Sequence, residues 1–238
     1  MIPEDFGLTE EQKAHAQKLH NENIVIDMLF QGPIGTYSLP ETLETELLEF
    51  AKAEHPTDEV AQVEFANNLI RKWYTHGKLS DLYKDCWYDS GITAACRQLA
   101  IRDKDSLLRS MAHIQSEFDH KPWLKKVRTA AEIEDVHQKG LKAGIVTSQE
   151  TVGYGKDLGL FELAYEFGLQ QLTYNNHNFV GAGCMEPNDA GLSKFGMQFV
   201  AKCNELGVLV DTGHSGRQTT LDACKHSKAT VVATHTRA

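Results

Sequence analysis

Residues 129–174 read TAAEIEDVHQKGLKAGIVTSQETVGYGKDLGLFELAYEFGLQQLTY. Within this stretch, a helical segment followed by a short apolar run occurs twice. In the first round, Thr129 and Glu132 are spaced for a capping box at the start of a helix, and Gly140 marks its end. The β-branched run 143–148 that follows predicts a strand buried on both faces. Alternation of this kind is typical of a parallel sheet covered by helices.

The same alternation extends on both sides of this stretch. The second-round helix is predicted to end at Gly168, and Ser193 and Gly207 are placed to begin and end the next one. A further helix is predicted within 215–228. Together with two upstream segments, this predicts about six strands, at 23–28, 91–99, 143–148, 169–174, 208–212 and 230–234.

The predicted fold class is α/β, a TIM-like (β/α) barrel. A closed barrel of this type has eight strand and helix units in about 250 residues, whereas this 238-residue chain ends just after the sixth predicted strand. Either helical insertions at 41–79 and 103–120 use up the length and the sheet is open, or the chain is a piece lacking its last two units. We favour the second explanation and expect residues 1–238 to form a single, partial barrel domain containing both insertions.

Composition narrows the classes of partner. The 24 basic and 33 acidic residues give a net charge of −9, so the chain lacks the basic surface that nucleic acid or an anionic membrane requires. No segment approaches the length of an apolar membrane span and no secretory leader is visible, so a cytoplasmic location is expected. The 5 cysteines include no Cys-x-x-Cys pair and are expected to be reduced thiols.

Two histidines follow consecutive predicted strands at matching positions. His214 closes VLVDTGH and His235 closes TVVATH. The carboxyl ends of parallel barrel strands meet at one mouth, so the two imidazoles are expected to approach one another. Paired imidazoles are typical ligands of zinc and similar cations. The alternative, that each histidine caps a strand end by bonding loop carbonyls, remains open at this point.

Other polar residues are predicted at the same mouth. Asp27 and Asp211 lie at the ends of strands, where each either orients a metal-bound histidine or braces a loop. Gln149 and Glu150 follow the third predicted strand, and adjacent residues point to opposite sides of a strand, which makes Glu150 a fallback ligand.

The loop after the fourth predicted strand is rich in asparagine and glycine. Asn176 and His177 suit recognition of a small polar ligand, although turn chemistry explains such residues equally well. Its VGAGC segment matches neither a dinucleotide nor a P-loop motif. Cys184 is the thiol expected nearest the site, unless it is simply a small buried residue.

Three stretches carry a collinear resemblance to a known family: LTYNNHNFVGAGCMEPNDAGLSKFG (172–196), NELGVLVDTGHSG (204–216) and TTLDACKHSKATVVATHTRA (219–238). They resemble the membrane dipeptidase (renal dipeptidase) family of metallopeptidases, in the amidohydrolase-like barrel superfamily. The resemblance is strong from about residue 144 onward and weaker near IVIDMLFQG, 24–32. It implies a zinc dipeptidase in which a hydroxide bridging two metals attacks the peptide carbonyl.

The resemblance places His214 and His235 on the two histidines that hold the second metal. The family's first strand ends in Asp-Gly-His-x-Asp, but here Leu29 and Gln31 stand where the His and the last Asp would bind the first metal. The bridging carboxylate corresponds to the neutral Gln149, unless Glu150 takes its place.

The resemblance also bears on substrate binding, because the family's substrate-binding histidine aligns with Asn176, next to His177. The predicted function is a membrane-dipeptidase-like metallohydrolase that cleaves dipeptides or a similar small amide. Its expected cofactor is zinc, with one site favoured over two, and a third ligand from Glu150, His177 or a partner; no catalytic residue is assigned. The alternatives are a non-catalytic small-ligand-binding relative with a degenerate metal site, and an interaction module that self-associates through an open sheet edge. A homodimer is left open.

Overall fold

A computed structural model of the chain describes residues 7–29, 39, 41–99, 103–149, 151, 154, 157–173 and 190–235. Within these ranges nine helices and seven strands follow one another. The helices are α1 Glu10–Glu22, α2 Glu41–Glu54, α3 Glu59–His76, α4 Ser80–Asp89, α5 Lys104–His120, α6 Ala130–Gln138, α7 Leu158–Phe167, α8 Lys194–Leu206 and α9 Arg217–His226. The strands are β1 Ile26–Asp27, β2 Ala94–Leu99, β3 Leu124–Val127, β4 Lys142–Ser148, β5 Gln171–Thr173, β6 Leu209–Asp211 and β7 Val231–Val232.

All seven strands belong to one parallel sheet with the order β1-β2-β4-β5-β6-β7, in which β3 also pairs with β4. Residues 143–148 of β4 pair with β2, whereas 142–145 pair with β3 and 147–148 with β5. Since a strand has two edges, β3 and β5 share the edge of β4 that faces away from β2. The α/β fold predicted from the alternation is confirmed.

The sheet curves, so that strands far apart in its order come together. Side-chain nitrogens of Gln149, after β4, and His235, after β7, lie 3.0 Å apart, although three steps across a flat sheet would span about 14 Å. Residues of β1 and Thr234 beyond β7 line one cavity of about 510 Å³, although β1 and β7 are the two ends of the strand order. The described strands therefore form an incomplete barrel.

The largest hydrophobic core lies between the sheet and the helices α5, α7, α8 and α9. Val146 of β4 and Val210 of β6 meet Phe161 of α7 and Phe199 of α8 there, and all four are fully buried. Burying each such side chain contributes about 1.5–3 kcal/mol. This core fixes the strands whose carboxyl ends carry the candidate site.

The helix ends follow the local sequence signals. Thr129 and Glu132 form the predicted capping box of α6. The Ser193 side chain accepts a hydrogen bond from the backbone N–H of Gly196 at the start of α8, and Gly207 ends that helix in the left-handed conformation, with φ 75°. These predictions are confirmed. They could be made from sequence because capping depends on neighbouring residues.

The described residues contain seven strands where about six were predicted, because β3 was missed. Its sequence, LKKV, places two lysines inside a four-residue strand and hides the apolar pattern. In the structure, Nζ of Lys126 lies 4.3 Å from the centroid of the Phe167 ring and donates to the Phe167 carbonyl at 2.9 Å. A long charged side chain can cover apolar surface in this way.

Helices occupy both of the ranges predicted as insertions. Helices α2 and α3 and the intervening turns lie within 41–79, and α5 lies within 103–120. Helix α5 connects β2 to β3 and packs against both. The division of residues 1–238 into one domain with two insertions stays a prediction.

An ion cluster joins α5 to the sheet. Glu117 of α5 is 6% exposed and accepts hydrogen bonds from Nε of Arg97 in β2, at 2.9 Å, and from Nζ of Lys121, at 3.2 Å. Burial alone would raise the pKa of Glu117, but the two neighbouring cations outweigh it and hold the pKa below its usual range. This carboxylate links α5 to the sheet. Removing it would leave the charges of Arg97 and Lys121 uncompensated.

Among the helices that the structure describes, none combines the length and the apolar character needed to cross a bilayer.

Candidate metal centre

Asp211, the last residue of β6, is the centre of a hydrogen-bond array at the carboxyl edge of the sheet. It is 0% exposed. Its Oδ1 accepts from the backbone N–H groups of Gly213, at 2.9 Å, and Thr234, at 3.0 Å. Its Oδ2 accepts from the Gln171 amide and the Thr234 hydroxyl, both at 2.6 Å. Hydrogen bonds donated to a carboxylate favour its ionised form.

The Thr234 hydroxyl transmits this arrangement to His235. An ionised carboxylate only accepts, so the hydroxyl hydrogen of Thr234 must point to Asp211. Its oxygen lies 3.3 Å from the amide nitrogen of Gln171 and 3.0 Å from Nδ1 of His235. With the hydroxyl hydrogen already used, Thr234 can only accept from His235. The His235 ring therefore carries its hydrogen on Nδ1.

The other ring nitrogen of His235 meets Gln149. Nε2 of Gln149 lies 3.0 Å from Nε2 of His235, and in a neutral ring protonated at Nδ1 this Nε2 holds a lone pair. Burial, reinforced by the charge of nearby His214, lowers the pKa of His235 and favours the neutral ring, against an opposing effect of Asp211. The geometry thus places an amide donor at Nε2 of His235.

His214 lies beside His235 on an unusual backbone. The ring centroids are 4.6 Å apart at an interplanar angle of 61°. A turn closed by the Ser215 N–H on the Thr212 carbonyl, at 3.0 Å, holds His214 at φ 62°, the left-handed region that favours glycine. Such strain persists only where surrounding structure enforces it, and it gathers at functional sites.

Gly213 allows the two histidines to come together. A Cβ at this position would lie 3.0 Å from the backbone oxygen of His235 and 3.4 Å from its ring carbon Cε1. The absence of a side chain therefore lets the turn after β6 pack on the end of β7. The predicted convergence of His214 and His235 is found in the structure, although their role as metal ligands stays a prediction.

The carboxyl end of β1 differs sharply from the ends of β6 and β7. Asp27 is half-buried and accepts a hydrogen bond from the backbone N–H of Leu29 at 2.9 Å. Leu29 is 39% exposed and, with Asp27 and Met28, lines the cavity that also borders Thr234. This is the position where the family resemblance places ligands of a first metal, and an exposed leucine side chain offers no ligand atom.

The described residues supply only part of a possible metal site. Within the part of the chain that the structure describes, no group of three or more His, Cys, Asp and Glu side chains is placed to hold a metal. Two adjacent imidazoles fit part of a zinc site, which commonly has three protein ligands and one open position. The predicted residues Gln31, Glu150, Asn176, His177 and Cys184 lie outside the described residues.

Sequence reasoning missed three contributors to this array: Thr234, Gln171 and Gly213. One signal was available for Gln171, which is a polar residue in a strand expected to be buried and is 2% exposed. A buried amide needs partners, so this position pointed to a polar network. The partnership with Asp211 joins residues that are 40 positions apart, and no local pattern encodes it.

The family model for membrane dipeptidase (peptidase family M19) matches residues 13–238 of the chain. Among solved structures, an amidohydrolase from Pseudomonas aeruginosa is similar over 92% of this chain and 55% of its own length, with 22% identity and a TM-score of 0.65. The similarity to this solved structure concerns the fold.

Two further solved structures resemble the chain. A metallo peptidase from Rhodobacter sphaeroides, liganded with a phosphinate mimic of the dipeptide L-Ala-D-Ala, matches 89% of this chain and 64% of its own, with 20% identity and a TM-score of 0.57. A dipeptidase of family M19 matches 63% of this chain and 52% of its own, with 24% identity and a TM-score of 0.57. The chain thus spans 52–64% of the length of the three solved structures.

Proposed function

Because the chain belongs to the membrane dipeptidase family, peptidase family M19, we propose that it is a metal-dependent hydrolase of dipeptides or similar small amides. The observation that carries the proposal is the histidine pair at the ends of β6 and β7, with ring centroids 4.6 Å apart. The dipeptide mimic bound to the R. sphaeroides metallo peptidase supports the class of substrate.

His214 and His235 are the residues proposed to hold the ion, and zinc is the proposed metal. The bound ion would supply Lewis-acid polarisation of the amide carbonyl and activation of a water molecule. The chain's own contribution is orientation, because Asp211 and Thr234 hold His235 with Nδ1 protonated, which leaves the lone pair of the neutral ring on Nε2. The third ligand would come from Glu150, His177 or a partner. The family resemblance supports Asn176, with its neighbour His177, as substrate-binding residues.

The direct test is hydrolysis of a dipeptide panel by the purified chain after incubation with zinc. We expect cleavage that a chelator abolishes and that added zinc restores. The variant His214→Ala/His235→Ala is expected to lose it.

A matched control comes from a second histidine pair, His76 and His120, on α3 and α5. Its ring centroids are 4.8 Å apart, and both residues are exposed. His76→Ala/His120→Ala should retain hydrolysis. Cleavage that survives loss of His214 and His235 in a folded chain would contradict the proposal, as would absence of cleavage in the zinc-incubated chain.

A second candidate function is binding of a small ligand without catalysis. It is favoured by the Gln149 amide, which faces the metal-binding nitrogen of His235, and by exposed Leu29 at the end of β1. Calorimetric binding of a dipeptide that is recovered intact, in chain incubated with zinc, would support this candidate over hydrolysis.

A cytoplasmic location and a homodimer stay predictions. Light scattering on a sizing column would test the homodimer.

A further inference from the structure

We propose that the Gln149 side-chain amide competes with a metal ion for Nε2 of His235 and thereby weakens metal binding at this site. The inference rests on the proposed function, since it concerns the same ion. It goes further by assigning a role to a neutral residue at the position where the family resemblance expects a bridging carboxylate.

The argument begins with the direction of each hydrogen bond. Asp211 has no hydrogen to give, so Thr234 donates to it and must accept from Nδ1–H of His235. The remaining nitrogen, Nε2, then has one lone pair and no hydrogen in the neutral ring. The contact of 3.0 Å to Gln149 is therefore a hydrogen bond in which the Gln149 amide is the donor.

The Gln149 amide and a metal ion compete because the single lone pair on Nε2 of His235 can interact with only one of them at a time. A ligating imidazole gives its Nε2 lone pair to the metal, and an N–H group directed at the same lone pair would point its hydrogen at the cation. Gln149 must therefore turn away before His235 can bind an ion. A neutral side-chain hydrogen bond of ordinary strength makes this equivalent to about a two- to tenfold loss of affinity.

The experiment measures the zinc dissociation constant by competition with a chromogenic chelator in the wild-type chain, Gln149→Ala and Gln149→Glu. Gln149→Ala is expected to bind zinc about two- to tenfold more tightly than wild type, because it frees Nε2. Gln149→Glu is expected to bind more tightly still, since it replaces a donor with an anionic ligand. The control is Gln170→Ala, which removes an amide that bonds the backbone carbonyls of Gly168 and Leu169 and should leave the dissociation constant unchanged.

A second readout examines the metal-free chain. Nitrogen-15 spectra of the His235 ring should show the Nδ1–H tautomer in wild type, with the Nε2 resonance shifting in Gln149→Ala as its hydrogen bond is lost. A ring protonated at Nε2 and not at Nδ1 would overturn the inference.

The zinc titrations separate the two possible failures. Equal or weaker zinc binding by Gln149→Ala than by wild type would overturn this inference alone and leave the proposed function standing. Absence of zinc binding in all variants would overturn both.

Discussion

Two buried carboxylates, Glu117 on α5 and Asp211 at the end of β6, accept hydrogen bonds from different kinds of donor. Glu117 is bonded to two cations, Arg97 and Lys121. Asp211 accepts four hydrogen bonds from uncharged groups, two of them backbone N–H. Neutral donors hold a carboxylate in place without cancelling its charge, whereas cations cancel it. One carboxylate therefore links a helix to the sheet, and the other orients a histidine at the mouth.

Asp27 provides a third case, at the end of β1. It is half-buried, and its Oδ1 accepts from the backbone N–H of Leu29, two residues away. A contact this local is typical of a side chain that braces a loop. Substitutions of the three carboxylates should therefore differ in their effects on the free energy of unfolding and on zinc affinity.

The largest effect on stability is expected from Glu117→Gln. Removing this charge leaves Arg97 and Lys121 uncompensated, at a cost of about 3–5 kcal/mol in the free energy of unfolding. Urea denaturation followed by circular dichroism measures this change. The control Asp135→Asn breaks an exposed pair with Lys139 and should cost less than about 1 kcal/mol. Equal losses in the two variants would remove the distinction between the buried and exposed ion pairs.

The same carboxylate predicts an acid dependence. The pKa of Glu117 is lowered in the folded chain, so its stabilisation is complete above the unfolded value of about 4.3 and is lost as the pH falls below that value through the folded pKa. Urea midpoints measured from pH 6 downward should fall more steeply for wild type than for Glu117→Gln. Parallel curves would show that protonation of Glu117 does not cause the loss of stability at low pH.

Asp211→Asn should have a smaller effect on stability and a larger one on metal binding. In this variant an NH2 group replaces one carboxylate oxygen and faces the two donors that this oxygen accepted from. The lost hydrogen bonds should cost about 1–3 kcal/mol in the free energy of unfolding. Losing the support of His235 should weaken zinc affinity by about 10- to 100-fold. Denaturation and zinc titration of the same samples test both effects. Zinc affinity reduced equally by Glu117→Gln, in folded chain, would contradict the comparison.

Thr234→Val tests the connection from Asp211 to His235. Valine keeps the shape but removes the hydroxyl that bonds both residues, so we expect a loss of about 1 kcal/mol in stability. Zinc affinity should fall as well, because Nδ1 of His235 loses its acceptor. Thr234→Ser keeps the hydroxyl and should restore zinc affinity, which a purely steric role for Thr234 would not predict.

The smallest effect is expected for Asp27→Asn. The asparagine oxygen can still accept from the Leu29 N–H, so the free energy of unfolding should change by less than about 0.5 kcal/mol. Zinc affinity should be unchanged. A marked loss of zinc would place Asp27 among the ligands and contradict the contrast between β1 and the histidine pair.

The part of this fold that could be predicted from sequence is the part encoded locally. The capping box at Thr129 and the helix end at Gly207 depend on residues a few positions apart. The strand β3 was missed because Lys126 is accommodated by a distant Phe167. The convergence of His214 and His235 was predictable because both follow parallel strands, and the geometry of such strands brings their ends to one edge.

The hydrogen-bond array could not be predicted, because it depends on side-chain positions across several strands. The contact between Gln149 and His235 spans 86 residues and requires the curvature of the sheet. Gln149 stood out from the sequence only as a neutral residue in the family's bridging position. Its action as a donor to His235 follows from the hydroxyl direction at Thr234, which is a property of the assembled network.

The most direct test of the proposed metal site is the zinc content per chain, measured by elemental mass spectrometry after incubation with zinc and extensive dialysis. We predict about one ion in wild type and in His76→Ala/His120→Ala, and essentially none in folded His214→Ala/His235→Ala. Failure of wild type to retain zinc, or equal retention by the His214 and His235 variant, would contradict the assignment of this histidine pair as the metal centre.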